Sequence, residues 1–137
     1  MKRTVTFTKE QIAAYAEASG DRNPIHLDDD FARSVGLPGV IAHGMLQMGI
    51  AGTVAAEAAG GGDRLRRLVC RFSGMVVPGD TVTFSAEPVG QGGAPGAGSA
   101  RPRALRGDVS PQTFRLDIRA VKENGEAVLT KSSAEYV

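Results

Sequence analysis

The fold of this chain is decided by the stretch HGMLQMGIAGTVAA, residues 43–56. After its first residue, only Gln47 and Thr53 are polar, so a helix here would be apolar on nearly every side and must be buried. Its three glycines lower helix propensity by roughly 1 kcal/mol each relative to alanine, a cost that close packing of other backbone would explain. The stretch therefore predicts a central helix wrapped by a sheet.

Strand patterns dominate the second half of the sequence. Apolar and polar residues alternate in segments 67–72, 81–86 and 114–120, and a last strand is predicted over 127–136. Pro78-Gly79-Asp80 predicts a tight turn, and Asn124-Gly125 predicts a two-residue hairpin turn. The alternation is typical of an antiparallel sheet with one packed and one solvated face. Together with the central helix it predicts an α+β protein.

Two shorter helices are predicted before the central one. Thr8 to Gln11 matches a capping box, in which each side chain would bond the other residue's backbone N–H, so we expect a helix over about 9–19. A brief strand is predicted at 5–7. Asp28 is the expected N-cap of a second helix that ends at Gly36. We assign the acidic run 28–30 to this capping, since it lacks the pattern of a calcium loop, and we predict no metal site.

Chemically active side chains crowd into the stretch SGDRNPIHLDDD, residues 19–30. Pro24 fixes one φ angle and restricts Asn23 to extended geometry, so a rigid loop could bring Asp21 and His26 to one point. An Asp–His pair is a competent general acid–base couple, because histidine changes charge near neutrality. The alternative is ordinary turn chemistry, with Asp21 and Asn23 bonding local backbone and His26 capping a helix. The residues alone leave both readings open.

A second candidate element stands where the central helix begins. The first turn of a helix leaves backbone N–H groups without partners, and Gly44 would let a substrate oxygen approach them closely. Such donors would form an oxyanion hole for charge developing on a carbonyl. Tight packing and capping would explain His43 and Gly44 equally well.

These motifs carry a resemblance to a known family. Residues 19–26, with the downstream IAHGML at 41–46, resemble the hydratase signature of the MaoC-like family of (R)-specific enoyl-CoA hydratases and (3R)-hydroxyacyl-ACP dehydratases. The catalytic subunit of actinobacterial dehydratases of the fatty-acid-synthase-II type is especially similar in sequence at residues 20–29 and at the Val-Gly-Leu of 35–37. The resemblance covers essentially the whole chain except about 90–110.

The resemblance implies a fold, an activity and a set of site residues. It implies a hot-dog fold, in which a curled antiparallel sheet encloses a long helix, and a homodimer or heterodimer with the acyl tunnel near the interface. It implies a hydro-lyase that needs no cofactor and acts on acyl thioesters of CoA or an acyl carrier protein. The matching positions are Asp21 and His26 as the catalytic pair, Asn23 as support for the loop and its water, Gly44 as the oxyanion hole, and Pro24, His43 and Met45 as site-lining residues. Gly52 replaces a hydroxyl residue found in some hydratases, which leaves chain-length preference open.

Two other functions are alternatives to the hydratase. A non-catalytic hot-dog subunit would supply a tunnel or scaffold to a partner, but such subunits generally lack the acid–base pair that this chain has. A hot-dog thioesterase would cleave the thioester, and the spacing of Asp21 and His26 argues against it. Release of a free thiol, rather than a 3-hydroxyacyl product, would identify the thioesterase.

Composition restricts the number of domains, the classes of partner and the compartment. With 137 residues we expect one domain, and a net charge of +1 with 23% charged residues argues against nucleic acid or a membrane as a partner. A single cysteine, Cys70, and no apparent signal peptide indicate a cytoplasmic protein. The Gly/Pro-rich segment at about 90–110 is predicted to be a flexible insertion. Four arginines could meet CoA phosphates or an acidic carrier, or could simply be solvated: Arg64, Arg66, Arg67 and Arg71.

Overall fold

The computed structural model of the protein describes residues 1–89 and 112–137, so the predicted insertion at about 90–110 lies outside the described residues. The strands are β1 (Lys2–Thr6), β2 (Leu65–Phe72), β3 (Thr81–Pro88), β4 (Phe114–Lys122) and β5 (Ala127–Tyr136). The α-helices are α1 (Lys9–Ser19), α2 (Asp29–Ser34) and α3 (Gly44–Ala59), and short 3-10 turns cover Pro24–His26 and Gly62–Arg64.

The strands form one antiparallel sheet in the order β1-β3-β4-β5-β2, and α3 packs across it. Alternate residues of the strands face this helix, among them Phe84, Leu116 and Ile118, which are buried against Ala51 and Val54 of α3. The predicted α+β arrangement of a central helix on an antiparallel sheet is therefore confirmed, and it is the hot-dog fold.

The helix α3 is less enclosed than predicted. Its inner face is buried, but Met45, Gly49 and Thr53 lie on an outer stripe that is exposed in the single chain. The expected burial on nearly every side is therefore wrong for the isolated chain, because the sheet covers one side of the helix only. The explanation offered for the glycines is also wrong: a Cβ at Gly49 would meet nothing within 4 Å, and one at Gly52 would meet the Leu68 side chain at 3.4 Å rather than backbone.

The turns agree with the sequence in one case and differ in the other. Pro78 and Gly79 form the predicted turn, which is closed by the Asp80 N–H donating to the Val77 carbonyl at 3.1 Å, with Gly79 at a φ of 96°. In the hairpin between β4 and β5 the Lys122 N–H donates to the Glu126 carbonyl at 2.9 Å, and this bond encloses three residues, 123–125, rather than two. Asn124 keeps a negative φ and only Gly125, at 89°, is left-handed, which excludes the two-residue turn that needs both residues at positive φ.

The helix termini follow the predicted caps. The α1 bounds are as predicted, and the Thr8 hydroxyl accepts from the Gln11 N–H at 3.0 Å. Gln11 does not complete the capping box, because its Oε1 is buried without a hydrogen-bond partner among the described residues. Asp28 caps α2 as expected through its side chain. The first strand lies earlier than predicted, since Phe7 leaves β1 and enters the core.

Within residues 1–89 and 112–137, no helix is both long enough and apolar enough to cross a membrane.

Candidate active site

The loop after α1 is built from successive side-chain turns. Gly20 ends the helix at a φ of 79°, and the Asp21 N–H donates to the Ser19 hydroxyl at 3.1 Å. Asp21 Oδ1 then accepts from the Asn23 N–H at 3.3 Å, and Asn23 Oδ1 accepts from the Ile25 N–H at 3.2 Å. Pro24 opens the 3-10 turn that carries His26. The turn chemistry left open by the sequence is present, and it fixes the loop on which both acid–base candidates lie.

The His26 side chain is oriented by a backbone carbonyl. The residue is 9% exposed, and its Nδ1 lies 2.7 Å from the Ile41 carbonyl oxygen. Since a carbonyl only accepts, Nδ1 carries the proton and donates. The Ile41 N–H donates in return to the Ile25 carbonyl at 3.1 Å, which ties the loop to the chain before α3. In the neutral ring Nε2 is left with a lone pair that can accept a proton.

His43 joins the two sides of the site. It is 1% exposed, and its Nε2 donates to the backbone carbonyl of Asp21 at 2.9 Å. Its ring stacks on His26 with centroids 3.7 Å apart and planes 23° apart, and the Tyr15 ring packs against it edge-on at 4.8 Å. One side-chain nitrogen or oxygen atom from each of Asp21, His26 and His43 lies within 4.8 Å of those of the other two. Residues far apart in the sequence thus meet in one cluster.

One carboxylate and two imidazoles are a donor set that divalent metals use. A bound metal lies close to the plane of each imidazole that ligates it. The rings of His26 and His43 are stacked 3.7 Å apart in nearly parallel planes, so no point close to both rings lies in both planes. These rings do not direct lone pairs at a common point, so the geometry suits proton transfer better than metal ligation.

A cavity lies at the start of α3, next to the cluster through Ile41, whose carbonyl accepts from His26; Asp21, His26 and His43 themselves do not line it. It has a volume of about 170 Å³ and is lined mainly by Ile41, Ala42, Gly44, Gln47, Phe72 and Val76. Gly44 is the first residue of α3, and no acceptor in residues 1–89 or 112–137 pairs with its N–H. A Cβ at Gly44 would lie 3.4 Å from the Phe72 ring, so glycine keeps this end of the helix open.

The predicted site residues therefore separate into groups. Asp21, His26 and His43 form the cluster, and Gly44 faces the adjoining cavity. Met45 points outward and is 62% exposed, and Pro24 is also exposed, so neither lines the cavity of the single chain. Arg64 is bonded to the carbonyls of Ala59 and Val137 at 2.8 and 2.6 Å, which favours a structural role over phosphate binding.

Two residues of the site were not singled out from the sequence. Tyr15 packs on His43, but it looked like one more apolar position of α1. Gln47 lines the cavity and is 3% exposed, and its signal was present as the one polar residue in the first turns of an otherwise apolar helix.

Comparison with known proteins places these features in context. The family model described as MaoC like domain matches residues 1–98. The chain is 44% identical over 73 residues to the fatty acid synthase subunit beta of Aspergillus oryzae, covering 52% of this chain and 4% of that protein. It is 38% identical over 79 residues to the 3-hydroxyacyl-thioester dehydratase Y of Mycobacterium tuberculosis, covering 56% of this chain and 27% of that protein.

A solved structure shares the fold over nearly the full length. The (R)-hydratase from A. caviae involved in PHA biosynthesis superposes with a TM-score of 0.75 at 23% identity, covering 98% of this chain and 90% of that one. At this level of identity the likeness concerns the fold. The chain spans only a small part of the two curated relatives, between 4% and 27% of their length.

Proposed function

The chain belongs to the MaoC-like domain family, and on that premise we propose that it catalyses the reversible, (R)-specific hydration of trans-2-enoyl thioesters, the reverse reaction being dehydration of (3R)-hydroxyacyl thioesters. The observation that carries this proposal is the approach of the Asp21 carboxylate to the His26 imidazole beside the first turn of α3. The enzyme would be a hydro-lyase acting on CoA or acyl-carrier-protein thioesters. The dehydratase and hydratase names of its relatives support the same reaction class.

In this proposal Asp21 and His26 hold one water between them. His26 Nε2 accepts a proton from the water, since Nδ1 is held as the donor to Ile41. The water oxygen attacks C3, the C2=C3 double bond opens, and a proton from the pair is returned to C2. Asn23 uses its Oδ1 on the Ile25 N–H, which leaves its NH₂ group to orient the water. Dehydration follows the same path backwards.

The substrate carbonyl is the second centre of the proposed reaction. Its oxygen would accept from the Gly44 N–H, so that negative charge moves onto it as the water attacks C3. Acid–base catalysis typically contributes about 10²–10⁴ in rate and one oxyanion-hole donor about 10²–10³, so the proposed reaction calls on no cofactor. Pro24 and His43 would hold the loop, and Met45 would lie at the rim of the site.

The test is hydration of crotonyl-CoA, followed as loss of enoyl-thioester absorbance and by chiral analysis of the product. Asp21→Asn and His26→Ala should each lower kcat by about 10²–10⁴. Asp30→Asn, whose carboxylate is 97% exposed on α2, is the matched control and should be as active as the wild type. Free thiol release without a 3-hydroxyacyl product would indicate a thioesterase. Full activity in both site variants, or no activity with CoA and carrier-protein thioesters, would overturn the proposal.

We also propose that the working enzyme is a dimer of hot-dog subunits, either two copies of this chain or this chain with a related one. Phe72 and Met75 line the cavity and are each 46% exposed, and Met45, which follows Gly44 on α3, is 62% exposed, which supports a partner at this face. β2 is an edge strand paired only with β5 in the described part of the sheet. Exposed edges and apolar patches of this kind are usually covered.

Two further expectations remain proposals. Residues 1–137 would form one domain, which is supported by β4 and β5 completing the sheet begun by β1 and β3. The compartment would be the cytoplasm, which the free thiol of Cys70 supports, since disulfides are rare there.

A further inference from the structure

A buried amide in the cavity has no function in the scheme above. Gln47 is 3% exposed, and its Oε1 has no hydrogen-bond partner within residues 1–89 and 112–137. Leaving a buried polar group unpaired is costly, and such groups in native proteins require an explanation. A ligand that fills the cavity and bonds the amide would provide one.

The position of Gln47 relative to Gly44 indicates which ligand atom it serves. The two residues are three apart on α3 and therefore lie on the same face, about 5–6 Å apart at Cβ positions. Both line the same cavity of about 170 Å³. Because both residues line this one cavity, an oxygen bound at the Gly44 N–H would lie near the Gln47 amide.

The chemistry of the proposed substrate indicates which of its atoms the Gln47 amide would bond. The acyl part of an enoyl thioester has one strong hydrogen-bonding atom, its carbonyl oxygen, and that atom only accepts. The rest of the cavity is largely apolar, with Ile41, Phe72 and Val76 in its wall. Rotation of the amide by 180° about its last torsion exchanges Oε1 for the NH₂ group, which donates. The unpaired amide can thus be satisfied by the thioester carbonyl.

We propose that Gln47 is a further catalytic residue, whose side-chain NH₂ donates to the thioester carbonyl oxygen together with the Gly44 N–H. The oxyanion hole then has two donors, one from the backbone and one from a side chain. This inference rests on the proposed function and deepens it. A glutamine in this role strengthens its hydrogen bond as charge develops on the oxygen, and so acts on kcat more than on KM.

The test replaces Gln47 by methionine, which has a similar shape and cannot donate. Gln47→Met should lower kcat for crotonyl-CoA by about 10²–10³ with a much smaller change in KM. Its thermal midpoint should equal or exceed that of the wild type, because an unpaired buried acceptor is removed. A residue needed only for packing would instead lose stability together with activity.

Gln11 provides a matched control. It also has a buried Oε1 without a partner among the described residues, but it lies on α1, outside the cavity. Gln11→Met should therefore hold or raise the thermal midpoint in the same way and leave kcat unchanged. A similar loss of activity in both variants would overturn the inference.

A spectroscopic measurement reports on the carbonyl directly. Butyryl-CoA, which has no double bond to hydrate, is bound with a ¹³C label at its carbonyl, and the stretching band is recorded by difference infrared spectroscopy. Loss of a donor should move the band to higher wavenumber in Gln47→Met than in the wild type, while Gln11→Met should leave it in place.

The outcomes separate the two proposals. A wild type inactive on all thioesters overturns the proposed function, whereas an active wild type with an equally active Gln47→Met variant and an unshifted band overturns only the role of Gln47. If the methionine variant does not fold, Gln47→Leu gives the same readouts. Failure of both variants to fold would identify a packing role and would also overturn the inference.

Discussion

The imidazole rings of His26 and His43 stack face to face, with centroids 3.7 Å apart and planes 23° apart. Each ring donates one N–H to a backbone carbonyl on the opposite segment: His26 to Ile41, and His43 to Asp21. The stack therefore connects the loop after α1 to the segment before α3 at two points. Because Asp21 and His26 lie on the same loop, one buried ring of His43 sets the position of both.

His43 is accordingly predicted to position the pair rather than to exchange protons. His43→Phe keeps a stacking ring but loses the Nε2 donor to Asp21, and should lower kcat by about two- to tenfold, which corresponds to the ~0.5–1.5 kcal/mol of one neutral hydrogen bond. His43→Gln retains a donor of similar reach and should recover part of the loss. The measurement is steady-state crotonyl-CoA hydration. A fully active phenylalanine variant would show that the bond to Asp21 is dispensable.

The role of the Gly44 N–H can be isolated because proline is tolerated at the first position of a helix. His43 has φ −62° and ψ 137°, the extended geometry that a residue before proline requires. Gly44→Pro should therefore keep the helix start while deleting one N–H, and should lower kcat by about 10²–10³.

Gly44→Ala is the control for the added bulk near Phe72, since its Cβ would lie 3.4 Å from that ring while the N–H is retained. It should raise KM more than it lowers kcat. Circular dichroism and thermal midpoints of both variants establish that they are folded. Equal kcat in the alanine and proline variants would contradict an oxyanion role for this N–H.

Local rules predicted most of the fold. The caps at Thr8 and Asp28 and the strand β5 appear where short-range chemistry places them, because their determinants lie within a few residues. The errors arose where long-range packing decides. The apolar sequence of α3 predicts burial on nearly every side, but the number of sides that the sheet covers depends on tertiary packing and cannot be derived from the helix sequence. Likewise Asn124-Gly125 fits two hairpin loops, and the pairing of Lys122 with Glu126 selects the longer one.

The candidate site was predictable in part for the same reason. Asp21 and His26 share one short loop, so their proximity follows from local spacing. The contact of His43 with Asp21 joins residues 22 positions apart, and the packing of Tyr15 on His43 joins α1 to the residue that precedes α3. Such contacts depend on how α1 and α3 dock, and sequence spacing carries no signal for them.

Acid should weaken the contacts that the Asp29 carboxylate makes outside the site. Asp29 accepts from Lys9 Nζ at 2.6 Å and from the Val40 N–H at 2.9 Å, and these two bonds lower the pKa of its carboxyl below the ordinary 3.8. A carboxyl whose pKa is lower in the folded than in the unfolded protein stabilises the fold at pH values above its unfolded-state pKa. This stabilisation is lost as the pH falls through its folded-state pKa. The difference in unfolding free energy between wild type and Asp29→Asn should thus be constant from about pH 5 to 8 and shrink below about pH 4.

Urea unfolding at several pH values measures this difference. Asp30→Asn removes a charge from the same turn and controls for the change in net charge, since its carboxylate is 97% exposed. Added salt should also reduce the Asp29 effect, because an ion pair this accessible is screened. A difference that is as large at pH 3 as at pH 7 would exclude the proposed cause.

Solution mass tests the proposed dimer. If the exposed face around Met45 and Met75 is covered by a second copy, the wild type should have about twice the mass of one 14.3 kDa chain, and Met45→Glu should bring it close to that of a single chain. A carboxylate buried at an apolar interface without a partner is strongly unfavourable. Val35→Glu, 56% exposed on the segment after α2, controls for an added charge elsewhere and should remain dimeric.

Activity distinguishes an interface from a simple apolar patch. The dimer is proposed to complete the acyl tunnel beside the cavity at Gly44, so the Met45→Glu monomer should lose hydration activity while keeping its circular dichroism spectrum. The variant should regain activity as protein concentration rises, because association follows mass action. Light scattering and a parallel crotonyl-CoA assay measure the mass and the activity. A fully active wild type with the mass of one chain would contradict the proposed dimer.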